Sequence, residues 1–366
     1  MSRIPFLEAR FFDRSETRSA LEERFELHLK SLRQRPRGSA IDPAAGNCDA
    51  ALVPQVPDGC YLGTKDLLKL NRRAKRILEL REKASGLSHL RKEDRERLEN
   101  LEHGVKLITI ATEHRADELA ATLHDQMPWM APATEVVWHA MRRSVREGWL
   151  GLRVPPLLLD GPPGIGKSHW SRLLGDLIGL PTTVVEATSE NASFGLVGGQ
   201  RGWGGAYPGR VIETVLQTGI ANPVIVVDEV EKAGAVTSQK GHSFGLAESM
   251  LPLLEQMTAT RWTCPYFQVR CDMSWIIWVL TSNDYRRLPE PLLNRCPPIR
   301  LRNLTAPELE GFIRRQGKAR NLSSPAIEAI LEALGHPSLR GHEPSLRVAT
   351  RMLQRAADLE QMPMIH

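Results

Sequence analysis

The chain has 366 residues, 42% of them hydrophobic and 25% charged, which is ordinary for globular protein and sufficient for two or three domains. A net charge of +5 and a pI near 9.0 are compatible with a polyanionic partner without demanding one. No apolar run approaches the ~20 residues of a membrane span, and the start Met1-Ser2-Arg3-Ile4-Pro5 lacks a secretory apolar stretch. The cysteines at 48, 60, 264, 271 and 296 form no Cys-x-x-Cys pair. Neither a zinc site nor a disulfide framework is therefore expected, and free thiols in a reducing cytoplasm are.

Residues 6–34 are charged with helical spacing through Leu21, Phe25, Leu27, Leu29 and Leu32. Residues 35–60 collect Pro36, Gly38, Pro43, Gly46, Pro54, Pro57 and Gly59 and read as a linker. We therefore expect a charged arm and linker over 1–60. A helical region is expected over 61–127, with Thr64 as the N-cap and Leu67, Leu70, Ala74, Ile77 and Leu78 as its apolar stripe. Between Lys65 and Arg97 twelve Lys/Arg face six Asp/Glu. That excess is either a solvated helical face or a nucleic-acid surface. The lack of interleaved aromatic residues counts against a single-strand stacking platform.

The character changes near Trp129. An amphipathic segment (Val136, Val137, Ala140, Met141, Val145) leads to the apolar run Val154–Leu159. Strands are expected at 182–186, 223–227 and 275–281, and helices at 167–178, 209–218 and 246–257. Such alternation implies a parallel sheet with helices on both faces. From Asn303 only helical patterns remain, broken near Gly335-His336-Pro337 and Gly341. The expected boundaries are an α/β subdomain over 128–302 and a helical lid over 303–366.

The run after Leu159 carries chemistry. Gly161, Pro162, Pro163, Gly164, Ile165, Gly166, Lys167, Ser168 and His169 form a phosphate-binding loop that opens a helix. Its small glycines let backbone N–H groups close around phosphates, Lys167 reaches the β- and γ-phosphates, and Ser168 can hold Mg²⁺. The strand Pro223–Val227 ends in Asp228 and Glu229. Asp228 is the expected second Mg²⁺ ligand, through water, and Glu229 the general base for the attacking water. The strand beginning at Trp275 ends in Thr281-Ser282-Asn283, where the Asn283 amide can reach the γ-phosphate or orient the water. Arg295 is either a finger supplied across a subunit interface or an ordinary ion-paired arginine. Arg347 either closes on the nucleotide from the lid or is a solvated helix residue.

These residues resemble the AAA+ superfamily, and more narrowly the ATPase module of Lon proteases, over about 150–366. The Lon-like stretches are Trp203-Gly204-Gly205-Ala206-Tyr207-Pro208-Gly209-Arg210, Asn222-Pro223 before Asp228-Glu229-Val230-Glu231-Lys232, Thr281-Ser282-Asn283, and Pro291-Leu292-Leu293-Asn294-Arg295. The resemblance implies a P-loop AAA+ fold with a helical lid, with ATP and Mg²⁺ as ligands. It makes Asp228 and Glu229 the metal and hydrolytic pair, Asn283 sensor one, Arg295 the trans finger and Arg347 sensor two. It also places Trp203 on a pore loop that grips a polypeptide, in a ring, by expectation a hexamer. There are departures. Asn294 stands where the family usually has Asp, residues 129–135 do not reproduce its motif near the adenine, and 1–127 does not look like the Lon substrate-recognition domain. The sequence stops at His366, just past the lid, so proteolysis in cis is not expected. The function expected is ATP-driven unfolding, translocation or remodelling of a protein partner. The alternatives are a nucleic-acid-directed ATPase (a loader, mobile-element or defence component) and a nucleotide-gated scaffold.

Overall fold

The computed structural model describes residues 2–13, 15–34, 62–188, 192–202, 206–233, 236–237, 243–335 and 345–361. The chain divides into two compact units, Ala9–Arg91 and a larger one made of Met1–Glu8 with Lys92–His366.

The smaller unit is a helical pair, α1 (Arg18–Gln34) and α2 (Thr64–Ala84). Ala74, at the centre of the α2 stripe, is fully buried. Gly63, extended at φ −66° and ψ 156°, occupies the cap position, so Thr64 is the first helical residue and not the cap. Arg33 pairs with Asp66 at 2.5 Å, Glu16 takes Arg24 and Arg81, and Arg73 lies over the Phe25 ring at 5.5 Å.

The larger unit is built on a five-stranded parallel sheet. Its strands are β1 (Leu157–Asp160), β2 (Thr182–Glu186), β3 (Val224–Asp228), β4 (Ile277–Ser282) and β5 (Pro298–Arg300), in the order β5-β1-β4-β3-β2. Val224 to Val227 and Ile277 to Leu280 are buried on both faces, which is why these runs are continuously apolar and do not alternate. The edge strand β5 escaped the sequence pattern because it starts at Pro297-Pro298. Proline, with no N–H to give the ladder, is tolerated at such an edge.

The helices of this unit, in chain order, are α3 (Lys92–Glu99), α4 (Glu113–Gln126), α5 (Ala131–Arg146), α6 (Lys167–Ile178), α7 (Ala192–Val197), α8 (Arg210–Thr218), α9 (Leu246–Leu254), α10 (Gln256–Ala259) and α11 (Glu290–Arg295). The expected helix 246–257 is in fact two. The helix runs through Pro252 to Leu254, Glu255 turns extended, and the Thr258 hydroxyl donates to the Pro252 carbonyl at 2.6 Å. The lid is α12 (Ala306–Ala319), α13 (Ser324–Gly335) and α14 (Leu346–Glu360).

Two expected boundaries move. The first eight residues are not part of an arm. Arg3-Ile4 pairs antiparallel with Val105-Lys106, and the Glu8 N–H donates to Arg270 O at 2.9 Å, stitching them to the larger unit. Nor does the helical N-terminal region extend to 127. The stripe Ala116, Leu119, Ala120 and Leu123 on α4 is buried against the core shared with α5 and α6. The junction is clamped by the fully buried Asn222, whose amide accepts from Ile108 N at 3.0 Å and donates to Ile108 O and Leu152 O at 2.9 and 3.2 Å. Cys264, Cys271 and Cys296 are buried free thiols; burial pushes Cys264 up to about 11 and Cys296 up to about 12. Cys48 and Cys60 lie outside the described residues. No helix among the described residues is long and apolar enough to cross a membrane.

Candidate active site

In a parallel sheet the loops at the carboxyl ends of the strands border one crevice. Here that crevice is a cavity of about 580 Å³ between the sheet and the lid. Its floor is the loop joining β1 to α6. Gly164 and Gly166 sit at φ +81° and +92°, in the left-handed region where other residues are strained. A side chain at 164 would also meet Ser345 Oγ at 2.6 Å. These two positions let the loop curl so that α6 begins at Lys167 with its amino end toward the cavity.

Lys167 is 7% exposed. Its Nζ donates to Gly161 O at 2.6 Å, Pro162 O at 3.0 Å and Asn283 Oδ1 at 2.9 Å. Those three acceptors are all neutral oxygens, and no carboxylate lies within ion-pair reach among the described residues. Burial lowers its pKa, opposed by Glu231, Asp160, Asp228 and Glu229 farther off. A buried cation solvated by neutral oxygens is a site that polyphosphate charge completes.

Because β4 lies between β1 and β3, Asn283 stands between the loop and the acidic pair. Ser168 Oγ donates to Asp228 Oδ1 at 2.9 Å, and the Thr281 hydroxyl donates to the same oxygen. Thr281 Oγ1 in turn accepts from Glu229 N at 3.0 Å, holding Glu229 at φ +55°. A non-glycine residue held there carries strain of ~1–3 kcal/mol, a feature that gathers at functional sites. The Glu229 carboxylate rests on Lys232 Nζ at 2.7 Å, 3.5 Å from Asn283 Nδ2. Asn283 also donates through its backbone N–H and Nδ2 to Glu231 Oε1 at 3.1 and 3.0 Å, while the other Glu231 oxygen is buried with no partner among the described residues.

The opposite wall belongs to the lid. Leu346 N donates to Gly164 O at 3.1 Å, latching the start of α14 to the loop. Arg320, Arg347 and Arg351 line the cavity and have no ion pair among the described residues, and Arg320 Nη1 is buried with no acceptor. Trp129 supports the same junction. Its indole donates to Ile165 O at 2.8 Å and its ring meets Phe312 edge-on at 6.3 Å. His169 lines the cavity, its pKa lowered by burial and then by Arg172.

The structure thus gathers Gly164, Gly166, Lys167, Ser168, His169, Asp228, Glu229, Asn283 and Arg347 around one cavity, with Gly161, Pro162, Pro163 and Ile165 in the loop that borders it. It does not bring Arg295 there. That guanidinium donates to Pro291 O at 3.1 Å and pairs with Glu255 at 3.0 Å. Trp203 lies outside the described residues. Thr281, Glu231, Arg320 and Arg351 belong to this geometry and were not singled out from the sequence. Thr281 and Glu231 stood inside stretches already noted, whereas nothing in a linear pattern marks the two lid arginines.

The hydroxyl of Ser168 and the carboxylate of Asp228 are hard oxygen donors of the kind Mg²⁺ takes. Among the described residues no cluster of three or more His, Cys, Asp or Glu side chains forms a ready metal cage. Two protein donors suit an ion that arrives bound to phosphates and keeps much of its water.

Residues 157–304 match the family described as ATPase family associated with various cellular activities (AAA). The chain is 32% identical over 211 residues to the peroxisomal Lon protease homolog 2 of Pichia angusta, an alignment covering 55% of this chain and 22% of that one. It is 32% identical over 145 residues to the Lon protease of Magnetococcus marinus (40% and 17% covered) and 30% identical over 174 residues to Lon protease 2 of Thermus thermophilus (48% and 21%). It therefore spans about a fifth of the length of these curated relatives. Among solved structures, the extended conformation of the S. cerevisiae Hsp104:casein complex superimposes with a TM-score of 0.52 at 15% identity, covering 78% of this chain and 55% of that one, a likeness of fold.

Proposed function

We propose that this chain, which carries at residues 157–304 an AAA+ ATPase module similar to that of Lon proteases, is a Mg²⁺-dependent ATP hydrolase that remodels a protein partner. The observation that carries the hydrolase is the buried Lys167 ammonium, bounded by neutral oxygens and flanked by Asp228, Glu229 and Asn283 at neighbouring strand ends. Backbone N–H groups of the loop and Lys167 bind the phosphates. Ser168 and Asp228 would hold Mg²⁺, which supplies charge neutralisation between the phosphates. Glu229 leaves Lys232 to accept the proton of the attacking water, and Asn283 orients that water or the γ-phosphate. Arg320 and Arg347 meet the phosphate charge from the lid. Arg295 is released from Glu255 to act on the nucleotide of a neighbouring copy in a ring, proposed as a hexamer, and Trp203 grips the polypeptide.

A second reading has its own support. On α2, Lys65, Lys69, Arg72, Arg76 and Lys83 recur at spacings of three, four and seven, are exposed, and make no ion pair among the described residues. Such a stripe suits a phosphodiester backbone. The test is steady-state ATPase activity alone, with an unfolded protein, and with DNA, each beside Trp203→Ala. Stimulation by unfolded protein that Trp203→Ala abolishes is expected. Stimulation by DNA alone, indifferent to Trp203, replaces protein remodelling with the nucleic-acid reading.

A further inference from the structure

A second cavity, of about 250 Å³, lies at the amino ends of the strands, opposite the nucleotide cavity, where Val154–Pro156 lead into β1 and Ile276 leads into β4 at Ile277 and Trp278. Three features make it more than a packing gap. Trp278 is 2% exposed, yet its indole N–H has no acceptor among the described residues. A buried donor left unsatisfied is costly, so a native site keeps one for a reason. Arg153 is the second. Its guanidinium is stacked 3.9 Å from the Trp275 ring centroid and 5.9 Å from that of Trp149. Among the described residues its buried Nε has no partner and its Nη2 reaches only Ser274 Oγ at 3.4 Å, and burial lowers its pKa. The nearby Asp272 carboxylate is engaged by Ser274, through N at 3.0 Å and Oγ at 2.7 Å. The third is the balance of charge. Arg143 stands exposed at the rim without an ion pair among the described residues, and no lining residue is acidic.

We propose that this cavity binds a small aromatic carboxylate. The Nε–Nη2 edge of a guanidinium presents two parallel N–H groups at the spacing of the two carboxylate oxygens, a pairing stronger than neutral hydrogen bonds. The rings of Trp149 and Trp278 and the apolar Leu254 and Ile276 offer flat, water-excluding walls for the rest of the ligand. The stacked tryptophan rings hold the guanidinium plane in place before the ligand arrives. None of these residues belongs to the nucleotide cavity, so the site stands independently of the hydrolase reading.

The experiment is calorimetric titration of the full chain, without nucleotide, with benzoate, phenylacetate and indole-3-carboxylate, beside their amides and inorganic phosphate. At least one acid is expected to bind with a Kd of about 1 mM or tighter and its amide at least ~10-fold more weakly, because the neutral group forgoes the charged pair. Trp278→Phe keeps the ring and removes the N–H, and Arg153→Lys keeps the charge and removes the fork. Each is expected to weaken the acid about tenfold, the scale of one hydrogen bond to a charged group. Arg143→Ala, at the exposed rim, gives the same test with little risk to folding, and its expected loss is about threefold. Acids and amides binding alike, phosphate alone binding, no acid binding with a Kd of about 1 mM or tighter, or folded variants binding as tightly as the parent would each overturn the proposal.

Discussion

The two walls of the nucleotide cavity are wired differently. On the sheet side Lys167, Ser168, Asp228, Glu229 and Asn283 are already engaged. Lys167 is fixed by three acceptors, Ser168 and Thr281 share one Asp228 oxygen, Asn283 bridges Lys167 to Glu231, and Glu229 rests on Lys232. On the lid side Arg320, Arg347 and Arg351 face the same space with no carboxylate partner among the described residues. A wall wired before the ligand arrives supplies position, because preorganised groups need no rearrangement during reaction. A wall of unpaired cations supplies attraction that appears once phosphate enters. Substitutions should therefore separate the two. Sheet-side changes alter turnover and also the ligand-free protein, whereas lid-side changes alter affinity and leave the ligand-free protein as it was.

The largest effect is expected at Glu229. Glu229→Gln should hydrolyse ATP at least ~100-fold more slowly while still binding it, the loss expected for a general base. Single-turnover hydrolysis beside a nucleotide-binding titration reads both, and near-normal turnover would remove Glu229 from the chemistry. Asn283→Ala comes next, with a turnover loss of about 10- to 100-fold. It should also lower the melting temperature without ligand, since it strips an acceptor from buried Lys167 and the side-chain donor from Glu231. On the lid side, Arg320→Ala and Arg347→Ala should each weaken ATP about tenfold with no fall in ligand-free melting temperature. A large ligand-free destabilisation by Arg347→Ala would show that the lid wall is wired after all.

Legibility in the sequence follows the same divide. The sheet wall could be read because its chemistry is tied to local pattern. Glycine, lysine and serine must follow a strand directly to cradle phosphate, and Asp228 and Glu229 must end an apolar run. Asn283 was readable for the same reason. The lid wall could not be read this way, since what makes Arg320 and Arg351 cavity residues is how α12 and α14 fold back over the loop. A solvated helical arginine looks identical in one dimension. The strand Arg3-Ile4 was missed because two residues carry no periodicity; their place is decided by Val105-Lys106, a hundred residues away. The α9–α10 break shows the converse error. An apolar run with helical spacing hid the break at Glu255, and that extended residue is the one that holds Arg295.

The smallest expected effect lies in the lid itself, away from the cavity. At the start of α12, Thr305 and Glu308 form a capping box. Glu308 accepts from Thr305 N at 2.8 Å and from both terminal nitrogens of Arg302 at 2.7 and 2.6 Å. The Arg302 guanidinium, more than the Thr305 bonds, pulls the Glu308 carboxyl from its ordinary 4.5 down to about 2. A carboxylate whose pKa is lower folded than unfolded stabilises the fold where it is ionised in both states, above about 4.5. That contribution is lost as the pH falls toward about 2. Glu308→Gln should therefore cost about 1 kcal/mol at neutral pH, the scale of one lost cap, and the gap between parent and variant should narrow between pH 4.5 and 2. Thermal melts of both proteins across that range read the difference. Because α12 also carries Phe312 against Trp129 and ends at Arg320 beside the cavity, the same variant should weaken ATP slightly, by less than the loss of either arginine. If it weakened ATP as much as Arg320→Ala, the lid would be acting through its fold and not through its charges, and the contrast between the two walls would have to be redrawn.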